Sequence, residues 1–278
     1  MAEEGIRLNK YLADQGICSR READRLIASG KVLVDGKTAE IGQKLWPGQT
    51  VICQGEKLSV SKEPGSRPAP VWLIVNKPRG IVCTTSHKDR AENIVDFLHY
   101  PARIYPVGRL DKDSEGLLLM TNEGDLVNKL MRSGNAHEKE YAVWVDRPVT
   151  DEFLQKMAAG VWIEELEQKT RPCQVRKTGK YSFAIVLTQG LNRQIRRMCQ
   201  VFDFQVVRLK RVRIMNIELG DLKTGGWREM SKEEYREMVR ILEEKGSTNL
   251  PYASRIKPES GKQEVKHGEK NSSNERTD

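Results

Sequence analysis

The chain has 278 residues, of which 38% are hydrophobic and 31% charged, with a formal net charge of +8. This length supports one large domain or two unequal ones, and the positive balance points to a polyanion as partner, nucleic acid ahead of an anionic membrane. No apolar run is long enough for a membrane helix, the acidic start lacks a signal-peptide core, and five scattered cysteines fit reduced thiols, so a cytoplasmic protein with no membrane partner is expected.

Residues 5–61 read as a compact unit of two short helices and a few strands. Ser19 and Glu22 form a capping box that opens a helix through Ala28, with Gly30 as the stop. Ala23, Leu26 and Ile27 share its apolar face, while Arg21 and Arg25 lie one turn apart outside, where they can straddle an RNA backbone or simply meet solvent. Arg7, Lys10 and Arg20 extend the basic set. Gly36-Lys37-Thr38 imitates the end of a phosphate loop, but Lys31 stands where an earlier glycine is required, so Asp35-Gly36 reads as a hairpin turn.

Residues 62–70, rich in proline, glycine and charge, read as a linker. Residues 71–245 form the larger domain. Apolar strands such as Trp72–Val75, Leu117–Met120, Tyr141–Val145 and Phe183–Leu187 are interspersed with helical patterns without strict alternation, which predicts an α+β fold with a mixed, largely antiparallel sheet flanked by helices. Residues 246–278 are polar and charged, and disorder is expected there.

The chemistry-bearing segments all fall in the larger domain. Gly108-Arg109-Leu110-Asp111 sets a carboxylate beside an arginine just before an apolar strand. Asp111, Asp113, Glu115 and Gly116 imitate a calcium loop, but Asn122 occupies the position of its closing acid, and Arg109 and Lys112 put positive charge where the ion would sit. His87, His99, His137 and His267 form no ligand pair, so neither metal nor cofactor is expected. Gln189–Cys199 read as a helix puts Ile195, Met198, Cys199 and Phe202 on one stripe. Arg196 falls beside that stripe, placed to pair with an internal carboxylate, whereas Arg193 and Arg197 project outward toward phosphates. The same pattern also suits a basic helix bound to RNA with no catalytic part. Tyr141 opens a strand and on pattern alone is a core aromatic. In the run Arg208, Lys210, Arg211, Arg213, strand alternation puts Arg211 and Arg213 on the face of Leu209, which predicts a basic rim of uneven exposure.

Two resemblances join these segments. The run from Arg7-Leu8-Asn9-Lys10-Tyr11-Leu12 through Ser19–Ala23 to Val32–Lys37 resembles the S4 RNA-binding domain. Asn76-Lys77-Pro78-Arg79-Gly80, Gly108-Arg109-Leu110-Asp111, Lys139-Glu140-Tyr141 and Asn192-Arg193-Gln194-Ile195-Arg196-Arg197 resemble, in order, the motifs of the S4-domain pseudouridine synthases of ribosomal RNA. The resemblance implies that Asp111 is the nucleophile, that Arg196 salt-bridges it and that Tyr141 stacks on the target base. It also implies a structural role for Lys77, near the aspartate or the RNA, and RNA contacts from Arg109, Asn192, Arg193, Arg197, Arg208, Lys210 and Arg211. Asp125–Leu130, His137–Tyr141 and Gly190–Gln194 resemble the F-type branch acting on bacterial large-subunit, 23S, ribosomal RNA. That branch implies a monomer working on 23S RNA or a ribosome assembly intermediate, with a tRNA anticodon uridine as second substrate. A non-catalytic S4-domain assembly factor and a synthase for small-subunit RNA are the alternatives.

Overall fold

A computed structural model describes residues 5–60, 69–84, 92–131 and 137–244. Most of the expected linker and the whole expected disordered tail lie outside the described residues. The chain divides into two compact units, one of residues up to Val71 with Pro101–Arg103 and Asn122–Gly124, the other of the remainder.

In the first unit, helices Leu8–Asp14 and Arg20–Ala28 form as patterned. The Ser19 hydroxyl accepts the Glu22 N–H at 3.1 Å, capping the second helix and directing Ala23, Leu26 and Ile27 inward. The turn at Asp35-Gly36 has both φ angles positive, at 51° and 79°, as a two-residue hairpin requires. It joins Val32–Val34 to Lys37–Thr38 in a four-stranded sheet completed by Thr50–Cys53 and Glu56–Ser59. Inward Val32, Val34, Val51 and Cys53 meet Leu8, Leu12 and the second helix in one core.

The second unit is built on a nine-stranded sheet, as the mixed, mostly antiparallel α+β expectation requires. Its main path runs Gln174–Gly179, Ser182–Leu187, Lys139–Val145, Val206–Ile214, Glu115–Thr121, Trp72–Lys77 and Trp227–Glu229. Every pairing along it is antiparallel except the central one, between Val206–Ile214 and Glu115–Thr121. Two apolar cores result. One joins Trp72, Ile74, Leu117 and Leu119 to helices Gly124–Met131 and Lys232–Glu244. The other joins Val143, Phe183 and Ile185 to helices Asp151–Ala158 and Gln194–Gln200.

The central parallel contact pairs Gly116 with Arg211. Gly116 also pairs with Lys77, and Arg211 with Tyr141, so four motif positions scattered through the chain occupy one row across the sheet. The row depends on glycine. Gly116 has φ of 101°, and a Cβ there would lie 2.2 Å from the Arg211 carbonyl oxygen. Gly116→Ala is therefore expected to cost roughly 2–5 kcal/mol from backbone strain plus overpacking. Urea unfolding checks it, and a midpoint within error of wild type would show that the close approach is not needed.

Candidate active site

Asp111 sits in the loop between Val107 and Glu115, held by its own backbone. The Ser114 N–H donates to the Asp111 carbonyl at 3.0 Å, closing a tight turn, and the Gly80 N–H donates to the Lys112 carbonyl at 2.8 Å. The Leu110 N–H donates to the Cys83 sulfur at 3.4 Å. Two cations complete the capture. Arg196 Nη2 donates to the Asp113 carbonyl at 3.1 Å, and Lys77 Nζ to the Ser114 carbonyl at 2.8 Å. Four successive carbonyls, from Asp111 to Ser114, are thereby occupied, which leaves the loop little freedom to turn its carboxylate.

Lys77 is fully buried, at 0% exposure, and its second bond is to the Pro78 carbonyl at 2.8 Å. This corrects its expected place among the RNA contacts: it is a buried tie beneath the loop. Burial holds its ammonium below the ordinary lysine value, while the thiol of Cys83 and the carboxylates of Asp111, Asp113 and Glu115 act in the opposite sense.

The helix expected over Gln189–Cys199 begins only at Gln194, because Arg193 takes the left-handed conformation with φ of 50°. Ile195, Met198 and Cys199 are buried as expected, and Phe202 packs against the same core from beyond the helix end. The late start redirects the arginines. Arg193 Nη1 lies 3.9 Å from an Asp111 oxygen and 3.8 Å from an Asp113 oxygen. Arg196, the expected ion-pair partner of Asp111, instead spans two carbonyls, Asp113 and Val206, the latter at 3.0 Å. Burial and then Arg193 lower the Arg196 pKa, with Asp113 and Asp111 opposing. Arg197 bonds the Asn192 carbonyl oxygen of the side chain at 3.2 Å and lies 3.7 Å from Glu165, so it is tied to the protein rather than turned outward.

Asp111, Arg193 and Tyr141 line one cavity of about 350 Å³, together with Arg109, Asn192 and Arg211. Its walls come from both cores, Leu119 and Leu130 from one and Leu187 and Leu209 from the other. Tyr141 is half-buried and packs on the second core, which leaves one part of it facing the cavity. The volume lies within the range of small-molecule sites, roughly 300 Å³ upward.

The basic run is uneven in exposure, but a bulge in its pairing with Lys139–Val145 breaks the expected alternation: Arg211 stands opposite Tyr141 and Arg213 opposite Glu140, so the two do not share the face of Leu209. Arg211 is only 3% exposed, with Nε donating to the Leu117 carbonyl at 2.7 Å, so it is a cavity residue and not part of an outer rim. Arg213 is held by Glu138 and Glu140, each at 3.1 Å. Arg208 is exposed but paired with Glu115 at 2.5 Å, over the Trp144 ring. Lys210 is half-buried. In the first unit Arg7, Arg20 and Arg21 are exposed, Lys10 lies 4.0 Å from Asp14, and Arg25 is paired with Glu22 at 2.5 Å. Sequence reasoning passed over Ser114, Lys139 and Gln189 as site residues, although all three line the cavity. Lys139 was within reach of it, because it precedes Tyr141 by two positions on one strand and so shares its face.

Comparison with known proteins agrees with these motifs. Residues 71–201 match the family model described as RNA pseudouridylate synthase, and residues 6–51 match the S4 domain. The chain is 47% identical to the dual-specificity RNA pseudouridine synthase RluF of Escherichia coli (strain K12), over 91% of this chain and 85% of that one. It is 36% identical to ribosomal large subunit pseudouridine synthase B of Bacillus subtilis (strain 168), over 84% of this chain and 95% of that one. Among solved structures, a pseudouridylate synthase shares the fold at 24% identity, with a TM-score of 0.60 over 84% of this chain and 99% of that one.

Replacing Lys77 by methionine preserves its length but leaves the Pro78 and Ser114 carbonyls without their charged donor. Lys77→Met is expected to lower stability by about 2–4 kcal/mol. Chemical denaturation with an unchanged midpoint would remove Lys77 from the support of the loop.

Proposed function

The chain belongs to the RNA pseudouridine synthases, isomerases that convert uridine to pseudouridine in RNA, and we propose that its target is a uridine of large-subunit, 23S, ribosomal RNA, with a tRNA anticodon uridine as second substrate. The names of the two curated relatives, one dual-specificity and one of the large ribosomal subunit, support this branch over small-subunit RNA. A monomer working in the cytoplasm fits this reading. Residues 71–245 carry the chemistry, and residues 5–61 add affinity for RNA.

The observation that carries the mechanism is the restrained Asp111 carboxylate beside Arg193 and Tyr141 in a single cavity. The reaction breaks the bond between the base nitrogen and the ribose, turns the base and rejoins it through carbon, without redox change or external energy. A nucleotide flipped from its stack enters the cavity, and Tyr141 offers its ring to the base. Asp111 is the nucleophile, toward either the sugar or the base ring. Arg193 is the cation beside the carboxylate, at 3.9 Å, while Arg196 holds the Asp113 carbonyl. Arg109 and Asn192 line the same cavity and are the contacts proposed for the RNA strand there.

Mapping pseudouridine by carbodiimide modification and primer extension, with and without the gene, tests the target. Loss of one large-subunit site is expected, and loss only in small-subunit RNA would overturn the assignment. Asp111→Asn should abolish product while leaving RNA affinity within a few-fold, since it removes the nucleophile and little volume; turnover near wild type would sink that role. Arg193→Ala and Arg196→Ala should each lower single-turnover rates on the order of a hundredfold, as removal of one fixed electrostatic partner does. An unchanged Arg193→Ala rate would return the pairing role to Arg196.

Alanine at Arg7, Arg20 and Arg21 together should weaken RNA binding and flatten its log–log salt slope by about 2–3. The rate on saturating RNA should stay near wild type. An unchanged slope would remove these residues from the interface.

A further inference from the structure

The cavity contains more polar capacity than Asp111 and its cation use. Ser114, Gln189 and Arg211 are 1%, 8% and 3% exposed, and Ser114 Oγ, Gln189 Nε2 and Arg211 Nη2 are all buried with no hydrogen-bond partner among the described residues. All three residues line the cavity, as does Lys139, whose ammonium donates to the His137 carbonyl at 3.1 Å. Such unsatisfied groups are costly in a folded protein, and several converging on one cavity mark a place where a ligand completes the bonding.

The register explains their convergence. Tyr141 pairs with Arg211, and Lys139, two residues earlier on the same strand, pairs with Leu187. Gln189 follows Leu187 by two residues. Lys139 and Arg211 are close enough for burial and then the Arg211 charge to hold the lysine below its ordinary value. Two like charges directed at one small space favour a ligand that presents acceptors.

Polarity then narrows the ligand. Arginine and lysine have donors only. Gln189 has both kinds of group, but its Oε1 accepts the Arg171 N–H at 3.0 Å, which leaves the amide NH₂ as the free end. Uracil presents carbonyl oxygens at positions 2 and 4. Cytosine replaces the second of these by an amino donor. The bases also differ at position 3, an N–H donor in uracil and an acceptor in cytosine, so donors set opposite positions 2 and 4, with the Ser114 hydroxyl free to accept from N3–H, fit uracil and oppose cytosine.

Building on the proposed base-flipping reaction, we propose that Lys139, Gln189 and Arg211 form a base-reading wall that binds the carbonyl edge of the flipped uracil and rejects cytosine. Ser114, able to donate or accept, completes the wall beside the Asp111 loop. These residues determine specificity, distinct from the nucleophile and its ion pair.

The test is equilibrium binding of uridine monophosphate and cytidine monophosphate to the full chain by ligand-observed NMR, alongside tritium release from a 23S RNA transcript labelled at uridine C5. The wild-type chain should prefer the uridine nucleotide by about tenfold or more. Lys139→Met should abolish most of that preference, and Gln189→Glu, which keeps the acceptor for Arg171 but presents a second one to the cavity, should abolish or reverse it. Equal binding of the two nucleotides by the wild type, or a preference unchanged in both variants, overturns the wall. Tritium release reports on the other reading separately. Preference without release would keep the wall and discard the 23S target, whereas release without preference would keep the target and discard the wall.

Discussion

The pairing of Gly116 with Arg211 is the constraint on which the catalytic unit depends. It is the parallel contact in an otherwise antiparallel path, and it brings the strand that follows the Asp111 loop against the strand that carries the basic run. Lys77 on one side and Tyr141 on the other extend the same row. A parallel contact requires a long connection between its strands, and here helix Gly124–Met131 of the first core and the strands and helices of the second lie in the interval. The two cores thus grow on either side of one seam, and the cavity lies where their walls meet.

The positive charge has been divided between structure and surface. Lys77 and Arg196 hold carbonyls of the Asp111 loop, Arg211 holds the Leu117 carbonyl, and Arg197 and Arg213 are bound to neighbouring side chains. Their value is geometric: a cation on a backbone carbonyl fixes a loop without leaving a buried charge unsolvated. A formal charge of +8 therefore overstates what a phosphate backbone meets on the outer surface. Around the cavity the same chemistry turns inward, with Arg193 beside a carboxylate and Lys139 beside Arg211. Preorganisation of this kind is what an enclosed reaction needs, because the charges are already oriented before the base arrives.

Local rules were sufficient where the physics is local. The Ser19 cap, the Asp35-Gly36 turn and the inward face of Ala23, Leu26 and Ile27 each depend on residues within a few positions of one another. Strand alternation put Arg211 and Arg213 on the face of Leu209 and failed at Arg213, where a bulge in the pairing with Lys139–Val145 sets it opposite Glu140 instead. The Gln194–Gln200 helix shows where such rules fail. Its apolar stripe was legible, but periodicity contains no term for the left-handed turn at Arg193, and with that turn Arg193 lies near the Asp111 carboxylate while Arg196 is held by the Asp113 and Val206 carbonyls. Lys77 was expected near the aspartate or the RNA, and pattern does not choose between them; its burial follows from carbonyls supplied by Pro78 and the distant Ser114.

The sequence by itself determined the two units' element types, the basic character of the chain, and the segments that bear the chemistry, because caps, turns, periodicity and short motifs are written in neighbouring residues. Only the tertiary structure decided which charges are consumed by carbonyls, which arginine stands beside Asp111, and which donors face the cavity. Those outcomes depend on strand register and on the approach of Gly116 to Arg211, contacts between residues far apart in the chain. No local pattern specifies such a distance; it is set when the two cores close on their shared sheet.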